Sequence, residues 1–193
     1  MSTAVAAIKA ATGNKECTTS TVTRLLQLSD VEELTALFTS NREFLRPWDP
    51  VREDVFFTET KQAELVRVAL DAYQGGTMVP LVILNPEGRL AGRLNINGIV
   101  HGALQSAALG YWISESENGA GLASAAVAEA ADYAAQQLGL HRLQAETLVH
   151  NIRSQKVLAK NGFTRYGLAP KYLKIAGQWQ DHILFQRILE SEE

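Results

Sequence analysis

One cysteine, Cys17, is the only thiol in these 193 residues. That excludes an internal disulfide framework and any cysteine-based metal cluster. The histidines His101, His141, His150 and His182 never fall at the spacing of a helical metal site, so no metal is expected. An excess of one charge is missing too: 18 basic against 21 acidic side chains leave a net charge of -3, with no general drive toward nucleic acid or anionic membranes. No apolar run approaches the ~20 residues of a membrane span, and the opening "MSTAVAAIKAATGNKECTTS" has no basic stretch ahead of a leucine-rich one. These absences predict a soluble, cytoplasmic chain that binds neither nucleic acid nor membrane. What is present is 46 % hydrophobic residues, enough for one sizeable core. The expected organisation is a loosely ordered segment over 1–18 and one domain over 19–190.

Hydrophobic periodicity gives an alternating α/β order. "TVTRLLQL" at 21–28 alternates as a strand, and a helix follows over 29–45 with Ser29 or Asp30 as its N-cap. A second helix at 59–73 stops at Gly75-Gly76. "MVPLVILN" at 78–85 and "RLAGRLNINGIV" at 89–100 form a hairpin about the Pro-Glu-Gly turn. A strand at 105–114 leads into a helix over about 119–138, followed by a strand at 141–149 and a helix over 151–162 ended by Gly162. A final hairpin turns at Ala176-Gly177, so the order is β-α-α-β-β-β-α-β-α-β-β.

The junction "ALGYWISESENGAGLASAAVA" at 108–128 passes from strand through two glycines into helix. Such a turn leaves unpaired N–H groups at a helix start, where the dipole also favours negative charge, so it suits a phosphate. Equally, Gly119 and Gly121 would serve a plain strand-to-helix turn. A P-loop is excluded, because Leu122-Ala123 stands where Lys-Ser/Thr is required. A dinucleotide fingerprint is a near miss, with Glu146 as its ribose ligand, but an antiparallel meander precedes the glycines where a Rossmann fold would repeat β-α-β units.

"LGYWISESENGAGLASAAVAEA" together with "LGLHRLQAETLVHNIRSQKVLAKNGF" resembles the acyl-CoA-binding region of the GNAT N-acetyltransferases. Their Gln/Arg-x-x-Gly-x-Gly/Ala loop maps onto Asn118, Gly119, Ala120, Gly121, Leu122 and Ala123. "NREFLRPWDPVRE", "HGALQSAALGYWI" and "KYLKIAGQWQDHIL" resemble the RimJ branch, the ribosomal-protein-alanine N-acetyltransferases. The resemblance covers nearly the whole chain from about residue 20. It implies a single-domain α/β fold, a mixed but mostly antiparallel sheet flanked by helices, with acetyl-CoA as cosubstrate. Pantetheine would lie between the strands at Leu109–Ser114 and His141–Val149, and the pyrophosphate on the N–H groups of Asn118–Ser124. Arg153, Lys156 and Lys160 are possible further phosphate partners or a solvated helix face. The chain departs from the pattern at Asn118, where Gln or Arg is usual, and at Ala120, where a basic residue is frequent.

Acetyl transfer from a thioester to an amine needs a neutral amine, donors for the developing oxyanion and a proton for the thiolate. The resemblance assigns the oxyanion donors to the backbone of Tyr111, Trp112 and Ile113, the pantetheine contact to Asn151 and the acid to Ser154. From the residues alone, Asn151 is a helix N-cap and Ser154 a first-turn serine. For the base, Glu146 and His150 stand beside a water relay. Phe44, Trp48 and Tyr172 fall in segments resembling the acceptor wall, and Glu43 and Asp49 are candidates to hold a protonated amine. The expected acceptor is a protein or peptide N-terminus on a ribosomal protein, carrying alanine or serine. A small amine such as an antibiotic, polyamine or amino-acid derivative is the alternative, as is a non-catalytic acyl-CoA sensor. A homodimer is compatible with the resemblance.

Overall fold

The computed structural model describes residues 21–189, so the expected loose segment at 1–18 and the outer limits of the 19–190 domain lie outside the described residues. A seven-stranded sheet carries the fold in the order β1-β2-β3-β4-β5-β7-β6. Its strands are β1 (Thr23–Leu25), β2 (Met78–Leu84), β3 (Leu90–Val100), β4 (Ser106–Ile113), β5 (Arg142–Leu148), β6 (Thr164–Ile175) and β7 (Gln178–Ile188). Neighbours run antiparallel except β4 and β5, which are parallel. The helices are α1 (Val31–Ser40), α2 (Arg42–Leu45), α3 (Glu59–Gln74), α4 (Leu122–Gln136) and α5 (Ile152–Lys160).

The element order follows the sequence pattern, with local departures that have physical causes. The first strand shrinks to three residues. Leu26 donates its amide to the Pro80 carbonyl at 3.0 Å, but Pro80 has no N–H to return the bond, and β1 ends there. Asp30 stands at the N-cap of α1 but its side chain makes no cap bond there: the carboxylate takes the Arg24 guanidinium at 2.7 Å through both oxygens and the Gln27 amide at 2.8 Å. Those bonds hold Asp30 below the usual carboxylate range although burial pushes the other way. The single helix expected over 29–45 breaks at Asn41, which is buried and leaves helical geometry at φ -101°, ψ 10°.

Each face of the sheet buries a different set of side chains. Leu94, Ile96, Leu109, Leu143 and Ala145 point to the face covered by α4 and α5. There α4 presents Ala126, Ala130, Ala131 and Ala134, all 0–1 % exposed, so the helix lies close to the sheet. On the opposite face Val82 and Leu90 meet Leu34, Phe38, Val66 and Ala69 of α1 and α3. Alternation along β3 therefore sends Arg93, Asn95 and Asn97 to that second face.

Strands β4 and β5 pair only at Ser106↔Arg142, Ala107↔Leu143 and Ala108↔Gln144, and beyond that they part. On its other side β4 stays paired with β3 as far as Gly92↔Ile113. The approach there is tight enough that a Cβ on Gly92 would stand 2.2 Å from the Trp112 carbonyl oxygen. Gly92→Ala should therefore destabilise the protein by about 1–3 kcal/mol, the usual cost of overpacking, as read from urea unfolding. An unchanged midpoint would show that β3 and β4 separate there at no cost.

Candidate active site

The opening between β4 and β5 joins two cavities. One, of about 710 Å³, lies mainly on the α1/α3 side and is lined by Arg93, Asn95, Trp112, Glu146 and His182 among others. The second, of about 420 Å³, is walled by the start of α4 and the first turn of α5. Both include Trp48, Tyr111, Asn151 and Ser154, so they meet where the strands part. The Ser114 amide donates to the Ala91 carbonyl at 2.7 Å. Continued along the strand in steps of two, that pairing turns the backbone groups of Leu109, Tyr111 and Ile113 away from β3 and toward the gap. By the same alternation the Trp112 amide is used by the sheet, which removes it from the three expected backbone donors. The Trp112 ring packs 4.9 Å from Phe38, centroid to centroid.

The glycine turn is held by polar side chains that leave its amides uncovered. Buried Asn41 accepts the Glu115 amide at 2.8 Å and the Ser114 hydroxyl at 3.2 Å. The Asn118 side chain, standing where Gln or Arg was expected, donates back to the carbonyls of Ser114 and Glu115 at 3.2 and 3.3 Å. Gly119 and Gly121 adopt φ of +87° and +82°, the left-handed region that glycine enters without strain. No atom lies within 4 Å of where their Cβ atoms would be. A group carrying phosphate oxygens therefore has open access to the loop and to the N-terminus of α4, with Gly121 as the N-cap. Ala120 is exposed, Leu122 is buried in the core and Ala123 lines the smaller cavity.

Facing this turn, Asn151 caps α5 by accepting the Ser154 amide at 3.1 Å. The Ser154 hydroxyl lies 2.9 Å from the Tyr111 hydroxyl, which also donates to the Ser154 carbonyl at 3.3 Å. Burial pushes the Tyr111 phenol up to about 12, an effect the Ser154 contact only partly offsets, so it is protonated at neutral pH. A strand side chain and a helix side chain thus share one hydrogen-bonded pair at the joint between the cavities.

Glu146 alternates with Ala145 and Thr147 and lines the larger cavity. Burial pushes its carboxyl up. His150, the other candidate base, is exposed at the strand-to-helix corner, 5.5 Å from the Trp48 ring and in the smaller cavity. Of the candidate acceptor residues, Trp48 borders both cavities, whereas Phe44 belongs to the smaller one. Tyr172 lines neither, is 43 % exposed and packs its ring at 58° to that of His182, 5.5 Å between centroids. Glu43 and Asp49 both have guanidinium partners, Arg46 at 3.3 Å and Arg52 at 2.7 Å. Arg153 lines the smaller cavity, while Lys156 and Lys160 are exposed outside it. The sequence reading passed over the polar row Arg93-Asn95-Asn97. Its signal was the alternation with Leu94 and Ile96 in "RLNIN", a polar face on a strand that has helices on both sides.

Comparison with known proteins places this geometry. The chain is 34 % identical over 160 residues to "Probable N-acetyltransferase YjcK" of Bacillus subtilis (strain 168), covering 82 % of this chain and 88 % of that protein. It is 32 % identical over 164 residues to the ribosomal protein uS5-alanine N-acetyltransferase of Escherichia coli (strain K12), covering 84 % of each. Among solved structures, Mycobacterium smegmatis RimJ in complex with CoA-disulfide superposes with a TM-score of 0.83 at 32 % identity, over 86 % of this chain and 80 % of that one. Residues 21–164 match the acetyltransferase (GNAT) domain. Parted strands, an open glycine turn and that match agree, and the chain belongs to the GNAT family of acetyltransferases.

Proposed function

We propose that this protein moves an acetyl group from acetyl-CoA to the α-amine of an N-terminal alanine or serine on a ribosomal protein. The observation that carries the reading is the passage between β4 and β5, with the glycine turn at one mouth and Glu146 at the other. It is supported by the similarity to the uS5-alanine N-acetyltransferase and to the CoA-bound RimJ structure.

Acetyl-CoA would enter from the smaller cavity, its pyrophosphate on the amides of Gly119–Ser124, the Asn118 amide being spent on the Glu115 carbonyl at 3.3 Å, and its pantetheine arm along Leu109, Tyr111 and Ile113, with Asn151 beside it. The amine would come from the larger cavity. Its nitrogen attacks the thioester carbonyl, a C–N bond forms, and the negative charge gathering on the oxygen meets the amides turned into the gap by Tyr111 and Ile113. Glu146, raised by burial, takes the amine proton, directly or through water. The C–S bond then breaks and Ser154 delivers a proton to the departing thiolate, with Tyr111 holding the serine hydroxyl in place. An α-amine, with an intrinsic pKa of about 8 against about 10.4 for lysine, supplies far more neutral nucleophile at physiological pH.

Acetyl-CoA should raise the melting temperature and NAD should not. Ala120→Glu, which sets a carboxylate beside the pyrophosphate without disturbing either glycine, should abolish most of that shift. An undiminished shift would remove the phosphates from this loop. Ser154→Ala should lower kcat by roughly 10²-fold while leaving the KM for acetyl-CoA nearly unchanged, and a loss below about threefold would reduce the serine to a packing role. By mass spectrometry, a peptide beginning with alanine should gain one acetyl group on its α-amine. The same peptide with that amine blocked and an internal lysine kept should gain none; equal turnover of both would overturn the acceptor.

A further inference from the structure

Arg93 is a cation on the wall of the larger cavity, and the protein supplies little to hold it. Its Nη2 donates to the Asn95 side-chain oxygen at 3.1 Å, while its Nε is buried with no hydrogen-bond partner among the described residues. No carboxylate lies within ion-pair distance of it among those residues. Asp30 exerts an attraction from farther off, but both its oxygens already hold Arg24. Burial lowers the guanidinium to about 10, so it is still charged at neutral pH. A buried donor left unmade costs more than a satisfied one returns, and a buried cation more again. Nε is sealed inside the protein, but the half-buried side chain lines the cavity, so the rest of the guanidinium can meet a partner that arrives from outside.

The position of Arg93 indicates what that partner is. It sits opposite Trp112 in the register of β3 with β4, and Asn95 sits opposite Gly110. Gly110 has no side chain to fill the floor of the cavity, where an added Cβ would meet only the Asn97 amide at 3.7 Å. Beyond that floor, across the gap, stands Glu146 on β5. Glu146 and Arg93 thus stand apart in a cavity whose other charges, Asp49 and Arg52, are paired with each other at 2.7 Å. We infer that Arg93 is a specificity-determining residue of the acceptor site, donating from the outer end of its guanidinium to an oxygen borne on the carbon next to the amine-bearing carbon. This rests on the acceptor reading above. In a peptide that oxygen is the carbonyl of the first residue, and in a free amino acid it is a carboxylate oxygen. Lysine side chains and polyamines have neither, so Arg93 would select α-amines by the group beside them.

The test is a two-by-two comparison of wild type and Arg93→Gln, each assayed with a peptide beginning with alanine and with the same peptide carrying sulfur in place of its first carbonyl oxygen. Sulfur is the weaker acceptor. Wild type should lose about tenfold or more in kcat/KM on that exchange, and Arg93→Gln should lose 10- to 100-fold on the oxygen peptide, mostly in KM, with the oxygen-sulfur difference gone. The acetyl-CoA melting shift should be retained, which separates this loss from unfolding or cofactor loss. Should Arg93→Gln fail to fold, Arg93→Met keeps the length of the side chain, removes every donor and should show the same collapse of the oxygen-sulfur difference. An oxygen-sulfur ratio unchanged between wild type and variant overturns the role of Arg93. Free alanine is the third acceptor. A wild type that acetylates small amines but no peptide overturns the peptide reading alone. In that case the oxygen site stands if Arg93→Gln cuts alanine turnover at least tenfold, and falls otherwise.

Discussion

Parallel strands β4 and β5 share three register positions and then diverge, which leaves backbone donors and acceptors exposed at the centre of a sheet. Unpaired backbone groups away from water are costly, and folds keep them where a ligand or solvent completes the set. The surrounding structure makes the gap permanent. On one side β4 is pressed onto β3 through the bare Cα of Gly92, and on the other β5 is bonded along its length to β7. Neither strand is free to close the gap without losing its outer partner.

Because successive residues on a strand point to opposite faces, that gap also sorts the chemistry. Tyr111 turns its ring toward α5 and reaches Ser154, while its neighbours Gly110 and Trp112 face the other cavity. Glu146 and Arg93 lie on the Trp112 side. Groups suited to a thioester's leaving sulfur and groups suited to an amine are thereby kept on separate faces, meeting only where the backbone itself is the wall. Asn41 couples the layers: the residue that breaks α1 from α2 also holds the turn leading to the glycines.

Much of this was legible from local pattern. Period-two and period-3.6 hydrophobicity placed the strands and helices in order, the glycines announced a strand-to-helix turn, and Asn151 announced a cap that is present. What local pattern does not carry is partnership across the chain. Asp30 stands at the N-cap of α1, but Arg24 takes the carboxylate that would have bonded there, and Phe44 looks like part of an acceptor wall but lines the other cavity. Arg93 was passed over for a related reason: an arginine in a strand is unremarkable until the carboxylates that would pair with it are found to have other partners.

One contact far from the gap bears on how the molecule behaves in a crowd. Glu129 of α4 accepts the amides of Val22 and Thr23 at 2.8 and 2.9 Å, together with the Thr23 hydroxyl. Those amides lie at the entry to the short strand on the margin of the sheet, where free donors would offer a template to a strand from another chain. A single carboxylate takes those two from the molecule's own helix, so the start of this border is covered against accretion as well as fastened to the core.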